Sequence, residues 1–178
     1  RLYELLSSQY LMKGAKVLDF SPARCLYRIL KSNKDIEYTS TALAGDFMAD
    51  KNYNITQIEA PIDSYDLIIC YHILEHVDDD KKAMQELVRI LRPNGTCLIQ
   101  TPFKQGDIYE NHSITSPQER LKHYGQEDHV RIYSADGLRK HLAKVGFEVT
   151  IREFNDESGN NFGLKNNETI LICTKLNN

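Results

Sequence analysis

The chain has 178 residues, of which 41% are hydrophobic and 26% charged, and its formal net charge is −3. These proportions are typical of a single globular domain and exclude fibrous and fully disordered chains. Binding to nucleic acid or to an anionic membrane needs clustered Lys and Arg, so the acidic balance predicts neither partner. No window approaches about 18 consecutive apolar residues, and the first residues lack the layout of a signal peptide. We therefore expect a cytoplasmic protein.

Helices and strands alternate along the first hundred residues. Apolar residues at helical spacing predict helices at 2–12, at 23–30 and after the acidic run 78–80. Runs rich in β-forming residues predict strands at 16–20, 36–40, 53–56, 65–71 and 96–100. This alternation is typical of βαβ crossovers and predicts a parallel sheet with helices on both faces.

The regular pattern is interrupted after the strand at 96–100. Residues 102–132 contain three of the six histidines and no clean period, and a long irregular segment in a compact domain is usually functional. Order returns with a helix that Ser134 and Gly146 are expected to cap. Strands at 147–151 and 169–173 then form a hairpin with a long loop. The four cysteines show no C-x-x-C spacing, so we expect Cys25, Cys70, Cys97 and Cys173 to be reduced core residues.

Three segments lie where an open α/β sheet binds ligands, at the carboxyl ends of strands. Asp19-Phe20-Ser21-Pro22-Ala23 has the spacing of an acidic-x-Gly-x-Gly loop. Residues 64–96 contain a buried strand, Leu-Glu-His, and a helix that ends Leu-Arg-Pro-Asn-Gly. Residues 124–133 contain Gly-Gln-Glu-Asp-His-Val-Arg. In these segments the chain resembles the class I S-adenosylmethionine-dependent methyltransferases, and the third is similar to a Gly-Gln-x-Asp-His-x-Arg segment found in a subset of them.

The resemblance implies a Rossmann-like sheet of seven mostly parallel strands. The last strand, near 168–175, would insert antiparallel between the fifth and sixth. Residues 1–178 would form one domain, with 102–133 as an insertion on the acceptor side. The implied activity is transfer of a methyl group from S-adenosylmethionine to an oxygen or nitrogen of a small or medium-sized polar acceptor, for which positioning supplies most of the rate.

The resemblance also assigns the cofactor site. The residues expected around S-adenosylmethionine are Asp19, Ser21, Ala23, Asn54, Ile55 and Tyr71. Two departures stand out: Ser21 and Ala23 occupy positions where glycines are usual, and no carboxylate ends the second strand, although Asp46 follows nearby. The alternative is therefore a non-catalytic binding module that keeps the fold with an eroded cofactor site.

The acceptor site is expected in the insertion and beside the strand at 65–71. His129, with Asp128, is the candidate base, since an unperturbed imidazole titrates near neutral pH. The candidate acceptor contacts are His72, Glu75, Tyr109 and Arg131. Residues 72–76 also match the H-x-x-E-H spacing of inverted zinc proteases. That motif belongs in the middle of a long helix, whereas here it begins at a strand end, so we expect no metal and treat a zinc hydrolase as a distant alternative.

Overall fold

The computed structural model describes residues 2–42, 49–154 and 167–176. Its five α-helices are α1 (Leu2–Gln9), α2 (Arg24–Ser32), α3 (Asp80–Ile90), α4 (Pro117–Tyr124) and α5 (Ala135–Val145). Its eight strands are β1 (Lys16–Phe20), β2 (Glu37–Thr41), β3 (Tyr65–Tyr71), β4 (Leu91–Gln100), β5 (Tyr109–Glu110), β6 (Arg131–Ile132), β7 (Phe147–Phe154) and β8 (Glu168–Lys175). Among these residues, none of the helices has the length and apolar character needed to cross a membrane.

The main sheet has six strands in the order β2-β1-β3-β4-β8-β7. Neighbours from β2 to β4 are parallel, and β8 runs antiparallel to both β4 and β7. The predicted antiparallel insertion of the last strand is thus confirmed, as is the mostly parallel α/β sheet.

The prediction of a strand at 53–56 is wrong. For this reason the main sheet has six strands in the described residues and not seven. Asn54 makes only an isolated bridge to Gln57. Its Oδ1 accepts hydrogen bonds from the backbone N and the hydroxyl of Thr56, at 3.0 and 2.8 Å. Asn side chains that bond two residues ahead in this way turn the chain instead of extending it.

The sheet separates two hydrophobic layers because its central strands are covered on both faces. Leu18, Ile68 and Ile99 pack with α3 and α5, while Val17, Leu67 and Leu98 face α1 and α2. Three of the cysteines are buried free thiols, as predicted. Cys25 is exposed on α2, so its assignment to the core is wrong.

Local capping sets the helix ends. The Asp79 side chain accepts from the backbone N of Lys82 at the start of α3, and Ser134 caps α5 in the same manner. Gly146 ends α5 with a φ of 113°, a conformation that favours glycine. The caps predicted at Ser134 and Gly146 are therefore confirmed.

The insertion is more ordered than its sequence pattern predicts. It forms α4 and a two-stranded ribbon of β5 and β6. Ser116 caps α4 and donates from its hydroxyl to Glu119, Pro117 occupies the first turn, and Gly125 ends the helix at a φ of 88°. The Ser-x-x-Glu spacing at Ser116 and Glu119, with Gly125 after the helix, is a local helix signal that does not depend on a long apolar period.

Candidate functional site

Unpaired polar atoms gather at the carboxyl ends of β3 and β4. Five buried side-chain oxygen or nitrogen atoms lack a hydrogen-bond partner in the described part of the chain. Four of them belong to residues at or just beyond these strand ends: Tyr71, Glu75, Gln100 and Thr101. Buried polar groups in folded proteins are nearly always bonded, so a cluster of orphans marks the place where a ligand or water completes the structure. Neither Gln100 nor Thr101 is among the site residues predicted from the sequence, where Gln100 ends the strand at 96–100 and Thr101 follows it.

The loop after β1 has the conformation that its sequence pattern requires. Ser21 has a φ of 47°, in the left-handed region that glycine enters at the lowest cost. Its backbone N donates to the Thr41 carbonyl at 2.7 Å, which holds the loop against the end of β2. Ser21 and Ala23 are both exposed at this edge. The serine therefore adopts a glycine-like turn despite its side chain.

Asp19 lies at the same edge but faces the protein. Its side chain is almost wholly buried, and the Tyr38 hydroxyl donates to Oδ2 at 3.0 Å. Burial raises the pKa of Asp19 to about 7, and the hydrogen bond from Tyr38 opposes that rise. Near neutral pH the folded protein therefore holds this carboxyl group at the midpoint between its neutral and charged forms.

Asp19→Asn is expected to stabilise the fold increasingly as pH rises. Below about pH 4 the carboxyl is neutral in both the folded and unfolded states, so the substitution changes little. Between about 4 and 7 the unfolded chain ionises first, and above 7 the folded chain carries the full cost of a buried charge. A shift of about three pH units corresponds to an upper bound of about 4 kcal/mol. Urea unfolding at pH 5 and pH 8 measures this difference.

Tyr38→Phe provides the matched control for Asp19→Asn. It removes the hydroxyl that donates to the Asp19 carboxylate and should destabilise the protein more at pH 8 than at pH 5, by about 1–3 kcal/mol. An Asp19→Asn gain that is equal at both pH values would contradict the proposed burial of charge.

Asn54, one of the residues predicted to contact the cofactor, is engaged in local hydrogen bonds. Asn54 is exposed, but both of its Oδ1 hydrogen bonds go to Thr56. Ile55 beside it is buried and packs in the core. At the end of β2, the Asp50 carboxylate accepts hydrogen bonds from the backbone N and the hydroxyl of Ser40, at 3.0 Å each. This carboxylate is therefore already bonded to the protein. Asp46 lies outside the described residues.

The insertion is clamped to a 3-10 turn at Leu74–His76, which follows β3 and contains one of the predicted acceptor contacts, Glu75. Arg131 is 2% exposed and donates to the backbone carbonyls of Leu74, Val77 and Asp78, as well as to Glu110 Oε1 at 2.7 Å. These bonds fix the turn against β6. Every guanidinium nitrogen of Arg131 is thus hydrogen-bonded inside the protein, which does not fit the acceptor contact predicted for it.

The clamp brings His129 to the turn. The ring centroids of His76 and His129 lie 4.6 Å apart in an edge-to-face arrangement, and His129 is 3% exposed. The backbone N of Val130 donates to the Glu75 carbonyl at 2.9 Å. Burial and the neighbouring His76 lower the pKa of His129, which favours a neutral imidazole.

The other predicted acceptor residues lie around this pair. His72, at a φ of 55°, places Nδ1 3.2 Å from Glu75 Oε1. Asp128 Oδ2 lies 3.1 Å from Nδ1 of His76, so its side chain is paired with His76 instead of the predicted partner His129. Tyr109 is on β5, and its hydroxyl is 2.8 Å from His123 Nδ1. The structure thus groups His72, Glu75, His76, Asp128 and His129, with Tyr109 in a separate pair.

Comparison with known proteins places these features in a class. A sequence profile of the methyltransferase domain matches residues 6–151. Over 96 residues the chain is 30% identical to a probable S-adenosylmethionine-dependent methyltransferase of Mycolicibacterium smegmatis, covering 54% of this chain and 34% of that protein. Over 66 residues it is 36% identical to the ubiquinone biosynthesis O-methyltransferase of Rickettsia conorii, covering 35% of this chain and 22% of that protein.

The fold comparison agrees over the whole length. The YcgJ protein from Bacillus subtilis matches with a TM-score of 0.69 at 13% identity, covering 99% of this chain and 98% of that one. The chain therefore belongs to the methyltransferase domain family, and S-adenosylmethionine is the cofactor of the class. The matched region spans about a third or less of the length of the curated relatives.

Proposed function

We propose that the protein transfers a methyl group from S-adenosylmethionine to an oxygen or nitrogen of a small or medium-sized polar acceptor. The observation that carries this proposal is the row of unpaired buried polar atoms on Tyr71, Glu75, Gln100 and Thr101. They lie at the carboxyl edge of the parallel strands, where open α/β sheets bind their ligands. Membership of the methyltransferase domain family supplies the reaction class.

The residues present fit the cofactor at its methionine end. Ser21 holds the glycine-like turn that lets a ligand approach the backbone, and the buried Tyr71 hydroxyl has no partner. The pKa of Asp19 is about 7, so its carboxyl group can ionise near neutral pH and pair with the cationic amino group of the cofactor. This pairing requires that the hydrogen bond from Tyr38 opens. When bound, the cofactor supplies an electrophilic methyl group on a sulfonium.

The acceptor side supplies a group that can take a proton. An acceptor hydroxyl or amine loses a proton as its oxygen or nitrogen forms the new bond to carbon and the carbon–sulfur bond breaks. We propose that the unprotonated ring nitrogen of His129 takes this proton, with His76 packed against it and Asp128 orienting His76. His72 and Glu75 would contact the acceptor from the turn after β3.

A second candidate is a binding module that keeps the fold without catalysis. Local hydrogen bonds favour this candidate. The Tyr38 hydroxyl donates to Asp19, and the backbone N and hydroxyl of Thr56 both donate to the Asn54 side-chain oxygen. Asp50 is also committed to Ser40. A cofactor must displace or bypass these contacts, so its affinity decides between the two candidates.

Binding of S-adenosylhomocysteine separates the two functions. At about 100 times its dissociation constant, a ligand that binds only the folded state adds about 2.7 kcal/mol of stability. We expect a rise of that size in the unfolding free energy of the parent protein, read as a melting shift. Ser21→Arg should abolish it by filling the space beside the exposed turn, whereas Ser32→Arg on α2 should retain it. No shift for the parent at millimolar ligand would support the binding module.

A further inference from the structure

Three potential metal ligands converge beside the unpaired atoms. Glu75, His76 and His129 each place one ligand atom within 4.8 Å of the other two, and they form the one such group in the described ranges. Glu75 and His76 come from the 3-10 turn, and His129 comes from the insertion that Arg131 clamps to it. The group therefore exists only in the folded chain.

An independent observation points to a ligand at this group. Glu75 is 1% exposed, and its Oε1 is 3.2 Å from Nδ1 of His72. Its second oxygen, Oε2, is buried without any hydrogen-bond partner. Leaving a buried carboxylate oxygen unpaired is costly, and a cation would satisfy it directly.

Each histidine has a protein partner for one of its two ring nitrogens, as metal-binding histidines usually do. Asp128 Oδ2 lies 3.1 Å from Nδ1 of His76, and the His129 ring is hydrogen-bonded to the backbone of Tyr124. A carboxylate or carbonyl that accepts one ring N–H fixes the tautomer and leaves the other nitrogen as a ligand. Each imidazole can thus offer one lone pair to the group.

We propose that Glu75, His76 and His129 bind a divalent cation of the first transition row. Two imidazole nitrogens and one carboxylate oxygen suit such ions, whereas Ca²⁺ prefers oxygen ligands throughout. This revises the expectation that the chain holds no metal. It also differs from the H-x-x-E-H pattern, because His129 provides the second nitrogen and His72 stays outside the group with its side chain 56% exposed.

The proposed cation restricts which atom of the acceptor is methylated. Three protein ligands leave coordination positions open, and a hydroxyl oxygen of the acceptor would fill one of them. A metal at the acceptor edge therefore favours oxygen over nitrogen as the methylated atom. This consequence rests on the proposed function, whereas cation binding itself does not. With the cation bound, the free ring nitrogen of His129 is a ligand and cannot take a proton, so the roles of His129 as base and as metal ligand are alternatives.

Titration with metal alone tests the site. The full chain is stripped with a chelator and titrated with Mn²⁺ and Co²⁺ by calorimetry, and the Co²⁺ absorption spectrum reports on the ligands. We expect one ion per chain. His76→Ala and Glu75→Gln should each weaken binding by at least about tenfold, and Asp128→Asn by about 10–100-fold because it orients His76. The side chains of His76 and Asp128 are 31% and 70% exposed, so we expect their variants to remain folded, which circular dichroism checks.

Two controls exclude binding elsewhere. Cys25→Ser removes the exposed thiol, and Asp78→Asn reduces the charge of the acidic run before α3. Both should bind like the parent. Absence of binding at millimolar ion, or equal binding by the parent, Glu75→Gln and His76→Ala, would overturn the proposal. Since S-adenosylhomocysteine binding is measured separately without metal, its loss would count against the proposed function alone.

Discussion

We expect His129→Ala to lower the initial rate of methyl transfer by about 10² to 10⁴, the range that a positioned proton-transfer group supplies. His129 is buried against His76, at the edge where the unpaired atoms of Glu75 and Thr101 lie. Its removal takes away the ring nitrogen proposed to receive the acceptor's proton. The loop at Ser21 is built from other elements, so the affinity for S-adenosylhomocysteine should stay nearly unchanged. The measurement is S-adenosylhomocysteine formation with an acceptor that the parent methylates.

His141→Ala is the matched control, because His141 is an exposed histidine on α5 outside the proposed site. It should turn over at the parent rate. Chelator treatment of the parent separates two roles of His129: direct proton acceptance survives removal of metal, whereas a role as metal ligand does not. Parental turnover by His129→Ala would show that the insertion only covers the site.

Arg131→Met should destabilise the protein by at least about 3 kcal/mol, because it leaves three backbone carbonyls without their donor and each polar group left unsatisfied costs about 1–3 kcal/mol. Arg131 is fully buried and pairs with Glu110 at 2.7 Å. It also satisfies the carbonyls of Leu74, Val77 and Asp78, which would lose their donor. Urea unfolding measures the change.

The control for Arg131 is a surface arginine of similar size. Arg139 pairs with Asp136 at 3.1 Å on the exposed side of α5, and exposed pairs contribute about 0–1 kcal/mol. Arg139→Met should therefore cost less than about 1 kcal/mol. Arg131→Lys should fall between the two variants, because lysine keeps the charge but lacks the planar fork that reaches several carbonyls at once. Equal stability of Arg131→Met and Arg139→Met would contradict the clamp.

The sheet could be predicted because its signals are local. The apolar run of β3 is typical of a strand covered on both faces, and Ser134 and Gly146 limit α5 through bonds within a few residues. The antiparallel position of β8 followed from the family resemblance. Asn54 shows where this reasoning fails: its neighbours favour a strand, but a side-chain bond to Thr56 turns the chain.

By itself, the sequence determined the class of fold and the strand ends that form the ligand edge, since the periodicity of apolar residues acts over short distances. Only the tertiary structure decided which polar side chains meet there. In the folded chain Asp128 pairs with His76, and Arg131 donates to the carbonyl of Leu74 in the turn after β3. Glu75 and His76 lie next to His129. These pairings join residues that are 52 to 57 positions apart in the chain. Their geometry depends on how the insertion docks on the turn after β3, which no local pattern encodes.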